Sequence, residues 1–392
     1  MHDVTFEGFV RSNGRVGTRN HVGVFVVGNC GATAARRVAD HFSPKRLAEF
    51  PNVDEVLPFV HEIGCGMEAT GEPMNLLRRT IAGTIRNPNI AGAVVIALGC
   101  ERNNIRAFFE QEQLVPGPML HMLVMQEIGG TANTIAAGIA AVESMLPEVN
   151  RFRRETVSVA HLVVGLQSAA ADGDTALSAN PALGAAIDLV VGHGGTAILS
   201  GTSELAPVAH RVAARAASPA VGAQLEQRIQ WWKGYTAGRD TQMTRPGTVD
   251  GEGAGLRRAG TSPLRAVYEY AHPVTQRGLV FMDAPAYAAV SATGQVASGA
   301  TMVCLTTGTG SGFGAAPVPT VKLASNSAVF ARMEDDLDID CGGVLAGAIG
   351  VEQMGRLVFE RMLAHASGDA TKSEELGVGR DEFVPWPIGV LA

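Results

Sequence analysis

The chain has 392 residues, of which 46% are apolar and 47 are glycine, and its net charge is −7. That length predicts more than one core, so two domains, and the apolar share excludes a disordered chain. An acidic balance without a basic block argues against a nucleic-acid-binding face, and the lack of an eighteen-residue apolar run argues against a membrane span.

The opening MHDVTFEGFVRSNGR has no apolar signal core. Five cysteines with no regular spacing fit reduced thiols in a cytoplasm, the expected location, better than a disulfide framework. Cys304, in TMVCLTT, is expected to be a small buried hydrophobe.

In chain order, HVGVFVVGNCGATAARRVADHF (21–42) reads as strand, tight turn and helix, with the β-branched run stopping at Gly28. VDEVLPFVHEIGCG and MNLLRRTIAGTIRN form a second strand–helix unit. IAGAVVIALGCE (90–101) is a continuous apolar run of the kind a buried parallel strand shows. PMLHMLVMQ as strand and TANTIAAGIAAVESML as helix follow. RFRRETVS (151–158) reads as a polar crossover between domains. Beyond it come a strand in HLVVGLQSAAADGD, and helix, turn and strand in NPALGAAIDLVVGHGGTAILSG. The stretch 231–260 reads as a long surface loop. GLVFMDAP, TMVCLTTGTGSGFGAAP and PTVKLAS are strands with glycine-rich exits, and VEQMGRLVFERMLAHAS is an amphipathic helix before a polar tail. The expected fold is α/β, with a parallel doubly wound domain over 1–150 and a second α/β domain over 151–392 that completes the substrate site.

Ligands of such sheets bind beyond the carboxyl ends of the strands. Cys30, the stretch His61 to Cys65, and Cys100 with Glu101 all fall just past predicted strand ends. Imidazole, thiolate and carboxylate are ligands of a borderline divalent metal, although the spacing matches no zinc finger. Arg15 and Arg19, four apart before the first strand, suit carboxylate binding, or else are two solvated arginines. In ARMEDDLDIDCGG (331–343), Glu334 to Asp336 read as a solvated helix end, and Asp340 with Cys341 as better cation candidates. GTGSGFG (308–314) lacks the lysine of a P-loop and reads as a loop whose N–H groups hold an anionic substrate group. No nucleophile elbow is present.

Taken together, GFVRSNGRVGTRNHVGV, NCGATAARRVADHF, HEIGCG, IAGAVVIALGCE, GLVFMDAP, TTGTGSGFG, PVPTVKLASNS and FVPWPIG resemble, in order and over nearly the whole chain, the catalytic region of the altronate/galactarate dehydratase family. The resemblance implies hydro-lyase chemistry on a sugar acid to give a 2-keto-3-deoxy acid. It implies a divalent metal, iron(II) first and manganese(II) or magnesium(II) as substitutes, held among His61, Cys65, Cys100 and Glu101. His61, Glu62 and Asp172 become the catalytic candidates. Arg15, Arg19, Asn20, Asn29, Thr293, Gly308 and Ser311 become the substrate contacts. Family members often carry a small SAF module; here the chain starts at the catalytic region, so that module is expected to be absent or a separate subunit. A homo-oligomer is also expected.

Several positions depart from the family pattern. Ser168-Ala169-Ala170-Ala171-Asp172 keeps only the aspartate of Cys-Gly-Gly-Ser-Asp, and MTRPGT (243–248) keeps only Pro246 and Gly247 of Asn-Pro-Ser-Pro-Gly-Asn. Thr309 replaces an arginine and Ala315 a cysteine. The alternatives these changes leave open are a non-catalytic sugar-acid-binding or regulatory paralogue and a carbon–sulfur lyase of the sulfolactate type.

Overall fold

The computed structural model describes residues 4–169, 172–238 and 255–387. Three sheets organise them. In the first, β1 (Thr5–Val10) lies between β2 (Val16–Gly17) and, later in the chain, β7 (Arg154–Ser158), all antiparallel. The stretch 151–158, expected as a crossover, is thus partly a strand. Its Arg154 stacks over the Phe9 ring at 4.6 Å, which lets a polar, charged segment pair with an apolar one.

The second sheet is parallel, in the order β4-β3-β5-β6, with β3 (His21–Val26), β4 (Val56–Phe59), β5 (Ile90–Ala97) and β6 (Leu120–Val124). Side chains alternate across the pleat. Val22, Val24 and Val26 therefore join one core cluster with helices Ala32–His41 and Thr131–Val149, while Phe25 and Val27 join another with helices Glu72–Ile85 and Ile105–Gln111. Burial on both faces explains why β3 and β5 read as unbroken apolar runs.

The third sheet has seven parallel strands in the order β10-β11-β9-β8-β12-β13-β14. They are β8 (Val163–Ala169), β9 (Thr196–Leu199), β10 (Leu264–Tyr268), β11 (Gly278–Met282), β12 (Met302–Thr307), β13 (Thr320–Ala324) and β14 (Ile339–Asp340). Helices Ala179–Gly192 and Val351–Ala366 cover one face together. Their close approach needs small residues: a Cβ on Gly355 would stand 2.5 Å from that of Ala185. The run Gly173–Gly192 has the length and apolarity to cross a membrane, but its residues Ala179, Ala182, Leu183, Ala186, Ile187 and Val190 belong to this core cluster. Cys304 on β12 is fully buried, and burial pushes its thiol well up.

Two expectations need correction here. Residues 231–236 of the presumed surface loop close helix Pro219–Thr236, whose Trp232 is buried, and Gly255–Ala259 is a short, largely buried 3-10 helix. The polar tail is not a free end. Helix Lys372–Glu375 docks Glu374 on Arg19 at 2.6 Å, Phe383 packs edge-on against Phe59, and Trp386 is buried beside Tyr270.

Candidate active site

Three strands of the second sheet, β3, β4 and β5, bring their carboxyl ends together. After β3, Gly28 is followed by the 3-10 turn Asn29–Gly31, which presents Cys30 to solvent. After β4 the chain enters an irregular stretch in which Gly64 sits against the β3 exit. A Cβ on Gly64 would lie 2.4 Å from the Val27 carbonyl, and its φ of +110° is one that glycine tolerates. After β5, the Glu101 carboxylate turns back to accept the N–H groups of Leu98 and Gly99, the latter at 2.7 Å. Asn103 locks the three exits together. Its side chain donates to Val27 O at 3.0 Å, its backbone N–H donates to Gly64 O at 2.9 Å, and its amide oxygen accepts from Arg78 at 2.9 Å.

The result is a gathering of thiols and one carboxylate. A Cβ on Gly28 would stand 2.9 Å from Glu101 Cγ and 3.7 Å from Cys65 Sγ, so this glycine separates the two. Cys65 is raised above the usual thiol range first by burial, then by the charge of Cys30 and a hydrogen bond with it, then by Glu101 and Cys100. Such mutual repulsion is what a divalent cation relieves, and thiolates with a carboxylate suit a borderline ion. The donors are gathered but open: among the described residues no three His, Cys, Asp or Glu side chains are close enough together to hold an ion.

His61 takes a different position from the one its spacing implies. It is buried, its Nε2 donates to Val26 O at 3.0 Å, and its ring lies 6.2 Å from that of Phe383. Burial lowers its pKa to about 4, against the opposing bond to Val26. Glu62 is exposed, and Asn29 donates to His61 O at 3.3 Å.

In the third sheet, Asp172 caps helix Gly173–Leu177, accepting Thr175 N–H at 2.8 Å and Thr175 Oγ1 at 2.7 Å. It packs directly on the glycine-rich exit of β12, since a Cβ on Gly308 would lie 2.3 Å from Asp172 Cγ. Beneath that exit is a group the sequence reading passed over. Lys322 of β13 is fully buried and donates to Ser311 O at 3.1 Å. Burial lowers its pKa, while the carboxylates of Asp336 and Asp338 oppose the fall. Its one signal was a lysine inside the apolar strand PTVKLAS. Asp340 accepts Gly342 N–H at 2.7 Å, and Cys341 is buried.

Among the described residues no hydrogen bond joins the thiol cluster to the glycine-rich exit. The C-terminal segment spans between them instead. Ser373 donates to Phe313 O at 3.3 Å, a Cβ on Gly314 would meet Val378 O at 2.7 Å, and Phe383 lies on His61. Thr293 holds this segment by accepting Val384 N–H at 3.1 Å.

Two further candidates have structural partners. Arg19 places all five N–H donors on Glu374 and the carbonyls of Thr18, His365 and Asp369. Asn20 is buried, its amide bonded to Asn52 O and Val149 O and its oxygen to Arg11. Arg15 donates to Arg86 O at 2.8 Å on a different cleft. Ala170, Ala171 and the MTRPGT stretch lie outside the described residues.

Open parallel α/β sheets receive ligands beyond the carboxyl ends of their strands, which is where the thiols and Glu101 stand. Residues 8–150 match the D-galactarate dehydratase/altronate hydrolase second domain, and residues 159–391 match the D-galactarate/altronate dehydratase C-terminal domain. The chain therefore belongs to the galactarate/altronate dehydratase family and is a lyase of that dehydratase-like, carbon–oxygen type. It is 30% identical to the galactarate dehydratase (L-threo-forming) of Escherichia coli (strain K12), over 99% of this chain and 78% of that one. It is 27% identical to an altronate dehydratase of Bacillus subtilis (strain 168), over 95% and 76%. A (2R)-sulfolactate sulfo-lyase subunit beta of Chromohalobacter salexigens is 29% identical over 97% and 96%.

Proposed function

We propose that the chain is a metal-dependent hydro-lyase that removes water from a small sugar acid, an aldonate or aldarate, to give a 2-keto-3-deoxy acid. The observation that carries this reading is the gathering of Cys30, Cys65, Cys100 and Glu101 at adjacent strand exits in a chain of this family. These four donors, rather than a set led by His61, are the ones that would hold the ion. Iron(II) is the first choice, with manganese(II) or magnesium(II) as substitutes. When bound, the cation supplies charge that stabilises an enediolate and polarises the departing hydroxyl.

The chain's own residues do the rest. Glu62, exposed three positions before Cys65, takes the proton from the carbon next to the substrate carboxylate. The hydroxyl on the following carbon leaves as water with the proton that Glu62 took, and the resulting enol becomes the 2-oxo acid. Burial keeps His61 neutral, and its bond to Val26 fixes the loop that carries Glu62. The N–H groups of the 308–314 loop and the Lys322 ammonium beneath it supply positive potential for the acid's anionic end.

A second reading, elimination of sulfite from a sulfonated hydroxy acid, is supported by the 29% identity to the sulfo-lyase subunit, next to 30% and 27% for the two dehydratases. That relative's description as a subunit also supports a separate small partner for this chain. The test is a panel of aldonates, aldarates and sulfolactate given to iron-loaded protein, with 2-oxo acid and sulfite both measured. The proposal requires 2-oxo acid without sulfite from at least one sugar acid. Sulfite release alone would transfer the assignment to the second reading, and no product from any of them would end the catalytic one.

A further inference from the structure

Three sheets leave six strands at an edge: β2, β7, β10, β14, β4 and β6. An unpaired edge invites another strand, and natural edges are shortened, charged or covered against it. β2 and β14 are two residues each, β7 carries Arg154 and Glu155, and β10 carries Arg265. β4 is fully buried. β6 has none of these protections. Its five residues, Leu120 to Val124, are uncharged at neutral pH, and all but Val124 are half-buried.

The register shows which of its groups point outward. Ala93 pairs with Leu120, and Ala93 N–H donates to Met119 O, so Met119, His121 and Leu123 turn their main-chain groups to β5. Leu120, Met122 and Val124 turn theirs away. Leu120 exchanges its outward pair with Gly117: Gly117 N–H donates to Leu120 O at 2.9 Å, and Leu120 N–H donates to Gly117 O at 3.1 Å. The N–H and C=O of Met122 face outward with no hydrogen-bond partner among the described residues.

The surroundings select a second copy of this chain as the partner. An N–H beside a C=O on one residue is self-complementary: a two-fold axis at Met122 lets two copies exchange both bonds as an antiparallel pair. The chain carries −7 overall, so two copies repel each other least where charge is absent. Residues 113–142 form such a stretch, with one charged side chain, Glu127, which pairs with Arg106 at 2.8 Å. Val115 in this stretch is 78% exposed, more than any other large apolar side chain among the described residues. Helix Thr131–Val149, which packs beside β6, exposes Ala132, Ala136 and Ala140. Two main-chain bonds make a small contact, and this uncharged surface adds the area that a stable dimer buries.

We propose that β6 is the interface of a homodimer, in which two antiparallel β6 strands join two four-stranded sheets into one. The proposal goes beyond the dehydratase reading and does not depend on it. The test is sedimentation of the full chain, with amide hydrogen exchange followed over a range of concentrations. The wild type is expected to sediment at twice the chain mass, and exchange within 119–124 should slow as the dimer fills. Met122→Pro removes the outward donor while sparing the ladder to β5, and His121→Lys places a charge on the half-buried edge. Each should weaken dimerisation by roughly tenfold or more. His121→Lys keeps the test valid if Met122→Pro fails to fold. A chain that stays monomeric, whether its edge is left free or taken by a different protein, would overturn the interface. So would a dimer of unchanged affinity in His121→Lys, or one in which 119–124 exchanges as fast as in the monomer.

Discussion

His61 shows how one buried atom pair decides a residue's role. Its hydrogen bond to Val26 O fixes the ring, and burial holds it neutral with a pKa near 4. The unfolded chain therefore takes up a proton between about pH 6.5 and 4 that the folded chain refuses, so stability falls as pH falls through that window. A shift of that size corresponds to roughly 3 kcal/mol. His61→Gln should flatten the pH dependence of the melting temperature between pH 6.5 and 4, with calorimetry as the check. An unchanged slope would remove His61 from the acid response. Gly28 makes the complementary point. Its φ of −161° suits any residue, so Gly28→Ala acts by pushing on Glu101, not by backbone strain. Divalent-metal affinity should fall at least tenfold while the melting temperature changes little, as equilibrium dialysis beside calorimetry would show. The glycine and cysteine at this turn were legible from GNCG. The turning of His61 to a backbone carbonyl was not, because sequence spacing carries no information on rotamer.

At the scale of the elements, the site depends on three strand exits being held together, and Asn103 holds them. Asn103→Ala removes the bond to Val27 O and leaves Arg78 Nε without its acceptor, a cost of about 1–3 kcal/mol. Gly64→Ala forces a side chain against Val27 O at a left-handed φ, and the conformational cost alone is about 1–3 kcal/mol. Both variants should lower the urea midpoint, and both should speed proteolysis within 60–71. An Asn103→Ala midpoint equal to wild type would show that the exits hold without it. The strands and helices of the second sheet were readable because two buried faces force continuous apolar runs and loops between them. β7 was not, because a cation stacked over Phe9 lets RETVS pair where composition suggests a linker. Lys322 was overlooked for a related reason: an apolar strand pattern hides a single buried charge.

At the scale of the whole molecule, the C-terminal segment ties the second sheet to the third. Burial alone would push the Glu374 carboxyl up, but its bonds to Arg19 and that residue's charge outweigh this and leave it below the usual range. The contribution is therefore present above pH 4.5 and lost as pH falls below it. Glu374→Gln strands a nearly buried guanidinium, and breaking such a pair costs about 3–5 kcal/mol when burial is complete, less here because Glu374 is 28% exposed. Thermal unfolding should drop clearly at pH 7, and the drop should shrink progressively as pH falls below 4.5. Read as a polar tail, this segment was not expected to dock. The apolar anchors Phe383 and Trp386 in FVPWPIG were the signal, and only the three-dimensional arrangement shows that one of them packs on His61.

The central claim is that cysteines from three strand exits share one divalent ion. Cobalt(II) titration followed in the near ultraviolet tests it most directly, because thiolate ligation gives charge-transfer absorption that oxygen and nitrogen ligands do not. The account predicts such a band at one ion per chain, weakened in Cys30→Ser, Cys65→Ser and Cys100→Ser alike and retained in His61→Gln. A cobalt complex without thiolate absorption, or a band that survives all three serine variants, would contradict it.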